Sequence, residues 1–328
     1  MRKQFSRLPA AARWLAIASM VVSLPAIAAK ADYAKENVAK PSCDKRCLML
    51  TLNQVLDAIG DNSTAALPIA PNAKITSDGV AGKIESSPVW GPARRIPYRL
   101  VFTDPTTQTA VFYGVVTNNF DRPAGASPTG GRPPPAGAGN SWWYYILRIK
   151  VADKKITELE QLDLEPKAGF GSDNMRNLHQ ADRIWDAVIP ESERSTREEL
   201  FDVADKYWDS VSKRIDTKQV PWGPACQRLE SGTVTSDSAT FPWSCGNGMK
   251  QPSVYWIVEN RRYYIADVER GVVLGFAVFM TPKEYPQNVF GLAVEFFKVQ
   301  NGVIQAIDAF SRTALHEQHS GWGSGPGS

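Results

Sequence analysis

The chain has 328 residues, 43% hydrophobic and 22% charged, with 37 Lys+Arg against 34 Asp+Glu. Four of the basic residues, Arg2, Lys3, Arg7 and Arg13, fall within the first 28 positions, so setting those positions aside takes Lys+Arg from 37 to 33 and the formal charge from +3 to −1. A near-neutral remainder with no Lys/Arg run excludes the electrostatic footprint of a nucleic-acid binder.

The basic start leads into the apolar run WLAIASMVVSLPAIAA and then into the small-residue sites Ala26-Ile27-Ala28 and Ala29-Lys30-Ala31. This is the pattern of a secretory signal peptide over residues 1–31, with cleavage near Ala28 or Ala31. The run is too short to favour a stable membrane anchor, so a periplasmic or secreted protein is expected. Export makes disulfides the default reading of the four cysteines Cys43, Cys47, Cys226 and Cys245. Three connectivities are open. Cys226 with Cys245, closing a turn-rich loop, and Cys43 with Cys47, at a helix start, are preferred, although an i, i+4 helical spacing strains the second pair. A zinc site lacks ligands, since none of the three histidines is near a cysteine. No metal and no cofactor are expected.

The first element is a helix in CLMLTLNQVLDAIGDNS, where Leu48, Leu52, Val55, Leu56 and Ile59 share one face and Ser42 is the candidate cap. Two turns follow, at ITSDGV from Ile75 and, in the second half, at RLESGT from Arg228. Paired strands are expected in IPYRLVFTDPTTQTAVFYGVV from Ile96, then a Pro/Gly-rich loop over 121–140 that cannot build a core, then the hairpin WYYILRIKVADKKITELEQL from Trp143. A second helix is expected in STREELFDVADKYWDSVSK, with Thr196 and Glu199 spaced as a capping box. The strands NRRYYIADVERGVVLGFAVFM from Asn260 and the hairpin GLAVEFFKVQNGVIQAIDAF from Gly291 close the order. The last hairpin repeats the earlier one at an offset of 148 residues: Lys150, Val151 and Ile156 recur as Lys298, Val299 and Ile304.

The chain therefore reads as an α+β protein built twice, each copy a helix region followed by about four strands, mostly antiparallel, that curl around the helix. The expected organisation is a first unit over 32–165, a linker over 166–195 able to pack across the interface, a second unit over 196–322 and a tail over 323–328. The helix endings VLDAI and YWDSV followed by strands closing in IKVADKKITELE and FKVQNGVIQAID resemble the cone-shaped NTF2-like (SnoaL-like) superfamily. CDKRCL, ALPIAPNAKITSDG, RYYIADVERGVVLGF, AVEFFKVQNGVIQAID and the late SGW further resemble an uncharacterised secreted fungal and bacterial family with two such units in tandem. The likeness covers nearly the whole chain after the leader. It implies a deep apolar cavity in a cone with a few polar residues projecting from the strands. The superfamily spans isomerases, dehydratases, epoxide hydrolases, cyclases, lyases of lignin-derived diaryl compounds and pure binding modules, so the fold does not choose among them.

Glu295 is the leading site residue. Strand alternation puts it on one face with Gly291, Ala293 and Phe297, where small neighbours leave room for a ligand and partial desolvation raises its pKa. The earlier hairpin has Leu147 at that place, which nominates the second copy as the working half. The plainer reading pairs Glu295 with Arg228 or Arg262 as structural glue. Arg262, which corresponds to Arg99, could bind a substrate oxyanion, and Arg228 and Arg99 are further substrate-binding candidates. His179, His316 or Tyr264 would carry a second proton, with surface positions the plainer reading for the histidines. Asp267 matches Asp104 at a hairpin turn, where a structural role competes with binding. Trp143 and Tyr145, within SWWYYILR, place aromatics on alternating faces, of which one set could line a pocket. No G-x-S-x-G elbow, Walker motif or dinucleotide glycine pattern occurs. The expected function is cofactor-independent acid–base chemistry, as a lyase, dehydratase or isomerase, on a small apolar or aromatic molecule such as a lignin-derived diaryl or aryl alcohol. The alternative is a module that binds such a molecule without turnover. A homo-oligomer stays open.

Overall fold

The computed structural model describes residues 42–91, 93, 95–118, 142–165, 174–175, 178, 181–250, 256–282, 289–315 and 319–323. All lie in one compact unit, Glu36–Ser328. The leader over 1–31, the Pro/Gly-rich loop over 121–140, His179 and His316 lie outside the described residues.

Helix α1, Lys45–Asp61, buries the predicted stripe of Leu48, Leu52, Val55, Leu56 and Ile59. Its cap is Asp44, whose carboxylate accepts from the Cys47 N–H at 2.8 Å, and not Ser42, whose hydroxyl donates to Gln108 Oε1 instead. An ionised cap bonds an N–H more strongly than a hydroxyl does. Cys43 pairs with Cys47 at a Cα separation of 5.2 Å. Because Cys43 precedes the first helical residue, the pair escapes the strain of a wholly helical i, i+4 spacing. Helix α2, Arg197–Val211, carries the expected box: Thr196 N–H donates to Glu199 Oε2 at 2.8 Å, and Glu199 N–H donates to Thr196 Oγ1 at 3.2 Å.

Two six-stranded mixed sheets make up the rest. The first contains β1 (Ile69–Ser77), β2 (Val80–Ala81), β3 (Arg95–Asp104), β4 (Thr109–Thr117), β5 (Trp142–Ala152) and β6 (Lys155–Leu164), in the order β2-β1-β6-β5-β4-β3. The second contains β7 (Trp222–Glu230), β8 (Thr233–Val234), β9 (Ile257–Asp267), β10 (Val272–Met280), β11 (Val289–Gln300) and β12 (Val303–Leu315), in the order β8-β7-β12-β11-β10-β9. The same order in both halves is the repeat written into the sequence. Four strands per half, mostly antiparallel, was an undercount. The stretches around Ile75 and Arg228 are not turns alone: each ends a strand, β1 or β7, that runs parallel to β6 or β12 and folds back through a tight turn. Each of these strands mixes exposed, intermediate and buried positions without regular alternation, so its sequence reads as loop. A four-residue helix α3, Cys245–Gly248, follows the second disulfide partner, Cys245, bonded to Cys226.

Alternation along the strands sorts residues into three cores. Ala110, Phe112, Leu147 and Ile149 face α1, whereas Val111, Tyr113, Val115 and Ile146 face the other sheet. In the second half Val273, Ala277 and Phe297 face α2, and Leu274, Phe276, Val294 and Phe296 face the first sheet. The order is helix, sheet, sheet, helix. Met175 and Trp185 from the 166–195 segment join the central core, with Leu178 and Ile184 against it, while Asp186 and Val188 of the same segment are exposed. Among the described residues no helix is long and apolar enough to cross a membrane. The two disulfides suit an oxidising extracellular setting.

Candidate functional site

The second half contains a cavity of about 340 Å³ on the α2 face of its sheet. Tyr207 and Val211 line it from the helix, Arg228 and Glu230 from β7, Gly291, Ala293 and Glu295 from β11, and Ala309 and Ser311 from β12. Phe241, Trp243, Met249, Trp256 and Phe279 complete an aromatic wall, part of it on the segment that the Cys226–Cys245 bridge fastens to β7.

The two halves explain why the space exists. At the 148-residue offset, Gly291 stands where the first half has Trp143, Ala293 where it has Tyr145, Ala309 where it has Gln161 and Ser311 where it has Asp163. The registers agree, since Leu147 pairs with Gln161 and Glu295 with Ala309. Trp143, Tyr145 and Gln161 are buried. The Tyr145 hydroxyl donates to Gln161 Oε1 at 2.8 Å, and Gln161 Nε2 donates to the Ile84 carbonyl at 2.8 Å. Large side chains thus fill the first half at the positions where small ones leave the second open.

The polar groups are asymmetric in the opposite sense. Arg228 faces Ile307 in the register that Ile75 holds against Leu159, and Glu295 stands for Leu147. Tyr207 and Trp208 stand for Val55 and Leu56 when the helices are aligned on Asp209 and Asp57. Four positions that are aliphatic in one half carry a carboxylate, a guanidinium, a phenol and an indole in the other.

These four groups converge. The Trp208 indole N–H donates to Glu295 Oε2, and the Tyr207 hydroxyl lies 3.4 Å from Oε1. Arg228 Nη2 is 3.6 Å from Oε1. Arg228 also donates through Nε to the Tyr207 hydroxyl at 3.0 Å, and through Nη1 to Glu230 at 2.6 Å and to Thr235 at 2.9 Å. Burial pushes the Glu295 carboxyl up to about 7, against the lowering effect of Arg228, Trp208 and Tyr207, and Glu230 adds to the rise. Burial likewise raises the Tyr207 phenol well beyond its ordinary range, so it serves as a neutral donor. Arg228 stays charged: burial opposes this, but Glu230, Tyr207 and Glu295 more than offset it.

The indole reaches Glu295 through a gap at Gly275, the cross-strand partner of Glu295. A Cβ on Gly275 would lie 2.5 Å from the Trp208 ring and 2.9 Å from Tyr263, which stack on each other at 5.2 Å. Gly275→Ala is expected to destabilise the protein by about 1–3 kcal/mol through overpacking and to push the indole off the carboxylate. Thermal unfolding and the shift of the Trp208 indole proton in NMR spectra are the checks; an unmoved indole resonance contradicts the gap argument.

The other candidates fall elsewhere. Arg262 does not meet Glu295. The register of β9 on β10 passes from Ile265 opposite Leu274 to Tyr263 opposite Gly275, so Tyr264 is an extra residue, and this bulge turns Arg262 to the face that meets the first sheet. There it binds Glu160 through Nη1 and Nη2 at 2.9–3.0 Å, with the Tyr264 hydroxyl at 2.9 Å. Tyr264 is likewise outside the cavity, packed on Phe276 in the central core. Arg99 lies on the α1 face, bonded to Asn53, so the bulge also breaks its equivalence with Arg262. Asp267 holds the β9–β10 turn by accepting from the Arg270 N–H at 3.1 Å and its Nε at 2.8 Å. Arg99 and Asp267 share a groove that has no lining residue in common with the cavity. His319 is exposed. Tyr207, Trp208 and Glu230 were missed as site residues. The signal for Tyr207 and Trp208 was the exchange of aliphatic for aromatic residues between the two copies, read at Leu147 alone; Glu230 stands for Ser77 and carried no such signal.

Among the described residues no three His, Cys, Asp or Glu side chains are grouped to hold a metal ion. The profile of a family described as a domain of unknown function (DUF8021) matches residues 193–311, which is the second half, the half that holds the cavity. No curated protein matches the chain. A solved structure titled as a hexachlorocyclohexane dehydrochlorinase (LinA) Type2 aligns with 40% of this chain and 94% of its own, at 14% identity and a TM-score of 0.26. A likeness of that size fixes neither the fold nor the chemistry.

Proposed function

We propose that the second half is an acid–base site acting without a cofactor on a small, mostly apolar or aromatic molecule, as a lyase, dehydratase or isomerase, within an exported protein of two tandem NTF2-like units. The observation that carries this reading is a buried carboxyl, raised to about 7, at the polar end of an aromatic-walled cavity. A carboxyl in that range both takes and returns a proton near neutrality. Glu295 is the base or acid in this scheme. Arg228 steadies negative charge that develops on the substrate. Tyr207, and not Tyr264, is the hydroxyl beside the reacting group.

One observation favours binding without turnover as a second reading: both Glu295 oxygens already have partners, in Trp208 and in the Tyr207 and Arg228 pair. Parent and Glu295→Gln proteins assayed side by side against aryl diols and ketones separate the two. Turnover by the parent and its loss in the variant are expected. Unchanged turnover of an accepted substrate removes Glu295 from the chemistry, and ligand-induced stabilisation with no product from any panel member favours the binding module.

A further inference from the structure

The cavity's polar end has an unusual charge account. Among its described lining residues Arg228 is the one Lys or Arg, while Glu230 and Glu295 both carry carboxyls. The guanidinium is largely engaged within the wall: Nη1 holds Glu230 and Thr235, Nε holds the Tyr207 hydroxyl, and Nη2 faces Glu295 at 3.6 Å. Three of its five N–H groups are taken by these hydrogen bonds, and the remaining two, on Nη2, stand beside Glu295. With Glu295 ionised the lining groups carry one negative charge in excess.

We infer that the cavity selects uncharged hydroxylated aromatic molecules, phenols and aryl alcohols, and turns away the corresponding aromatic carboxylates. A carboxylate entering here either takes Arg228 from Glu230 or reaches its Nη2 only by lying beside Glu295 in an apolar enclosure, and like charges placed together across an interface are strongly disfavoured. A hydroxyl meets neither obstacle. It donates to Glu295 when that group is ionised and accepts from it when it is protonated. The wall suits the ring. Phe241 and Trp243 meet edge to face at 5.9 Å, and Trp256 and Phe279 lie 6.2 Å apart, presenting edges and faces to an aromatic guest. A volume of about 340 Å³ is at the small end of ligand cavities.

The inference rests on the cavity assignment above and not on turnover, so it is tested by binding alone. The probes are 2-naphthol and 2-naphthoate, titrated calorimetrically into the full exported chain at about pH 8 and about pH 5.5, on either side of the Glu295 transition. The naphthol is expected to bind at least about tenfold tighter at the higher pH. The gap should narrow at the lower pH, as Glu295 takes up a proton, and narrow at both pH values in Glu295→Gln. Ala293→Tyr, which restores the filler of the first half, should weaken both probes and so place them in the cavity. Equal or tighter binding of the naphthoate at the higher pH overturns the inference, as does a gap that neither pH nor Glu295→Gln changes, or failure of both probes to bind. Discrimination without turnover of any substrate leaves the inference standing and removes the catalytic reading. Turnover without discrimination does the reverse.

Discussion

Truncating Glu160 to alanine is expected to lower stability by about 3–5 kcal/mol, the range for breaking a buried ion pair from one side. Glu160 is buried on β6 and accepts from Arg148 Nε at 2.9 Å and from Arg262 of the other sheet at 2.9–3.0 Å. Arg148 has no other way to reach solvent, because its guanidinium lies between the rings of Tyr264 at 4.1 Å and Trp322 at 4.3 Å. Its remaining carboxylate, Glu158, contacts Nη1 only, at 2.7 Å. Without Glu160, two guanidinium groups face each other, one fully and one largely buried, and only Arg148 keeps a carboxylate. Glu160→Gln retains an acceptor and the packing, so a smaller loss is expected from it. Urea unfolding followed by far-UV circular dichroism reads both. A loss under about 1 kcal/mol for the alanine variant means the guanidinium groups find solvent or other partners, and the cluster is then not what ties the sheets together.

How far this arrangement is legible in sequence depends on the period of the signal. Long elements with strong alternation or a helical stripe were readable: α1, α2 with its capping box, and the four antiparallel strands of each half all lie where the pattern puts them. The parallel strands β1 and β7, next to the edge of each sheet, were not. Their buried, intermediate and exposed positions follow no regular alternation, and a pairing partner more than 75 residues away leaves no local trace. The face-to-face packing of the sheets was also hidden. Both faces of β4 and β10 are apolar, which is the mark of a strand buried on both sides, but such a run does not say what covers it.

The site divides along the same line. Glu295 among Gly291 and Ala293 was readable because alternation on β11 is regular, and the cavity opens on that face. Arg262 was misplaced because one bulged residue at Tyr264 reverses the face of the residues just before it, as far as a second register shift between Arg262 and Glu259. No hydrophobic pattern marks that bulge, since Tyr263 and Tyr264 are alike. Trp143 and Tyr145 looked like pocket walls because aromatic residues serve as core and as wall with the same composition. Comparison of the two copies separates the roles: where one copy is large and the other small, the large residue is filler and the small one borders a space.

Glu295→Gln is expected to lower turnover by about 10²–10⁴-fold, the usual contribution of a positioned general acid or base, while making the protein more stable. The two effects have one cause. The folded carboxyl titrates near 7 against a reference value of 4.5, so between those values the folded state holds a proton that the unfolded chain has released. Stability therefore falls as pH rises from about 4.5 and levels off above about 7. The ionised form costs on the order of 3 kcal/mol above that range. Glutamine resembles the protonated acid and does not titrate. The variant should match the parent below about pH 4.5 and exceed it increasingly up to about pH 8, in urea titrations run across that range. Asp308, also buried and raised to about 7, titrates in both proteins and cancels in the difference. A difference that shrinks or changes sign as pH rises would mean that Trp208, Tyr207 and Arg228 satisfy the charge. Glu295 would then be a settled ion-pair partner and a poor base. A difference that grows identifies a carboxylate kept in an environment that disfavours its charge, which makes it a stronger base toward a substrate proton than an ordinary carboxylate.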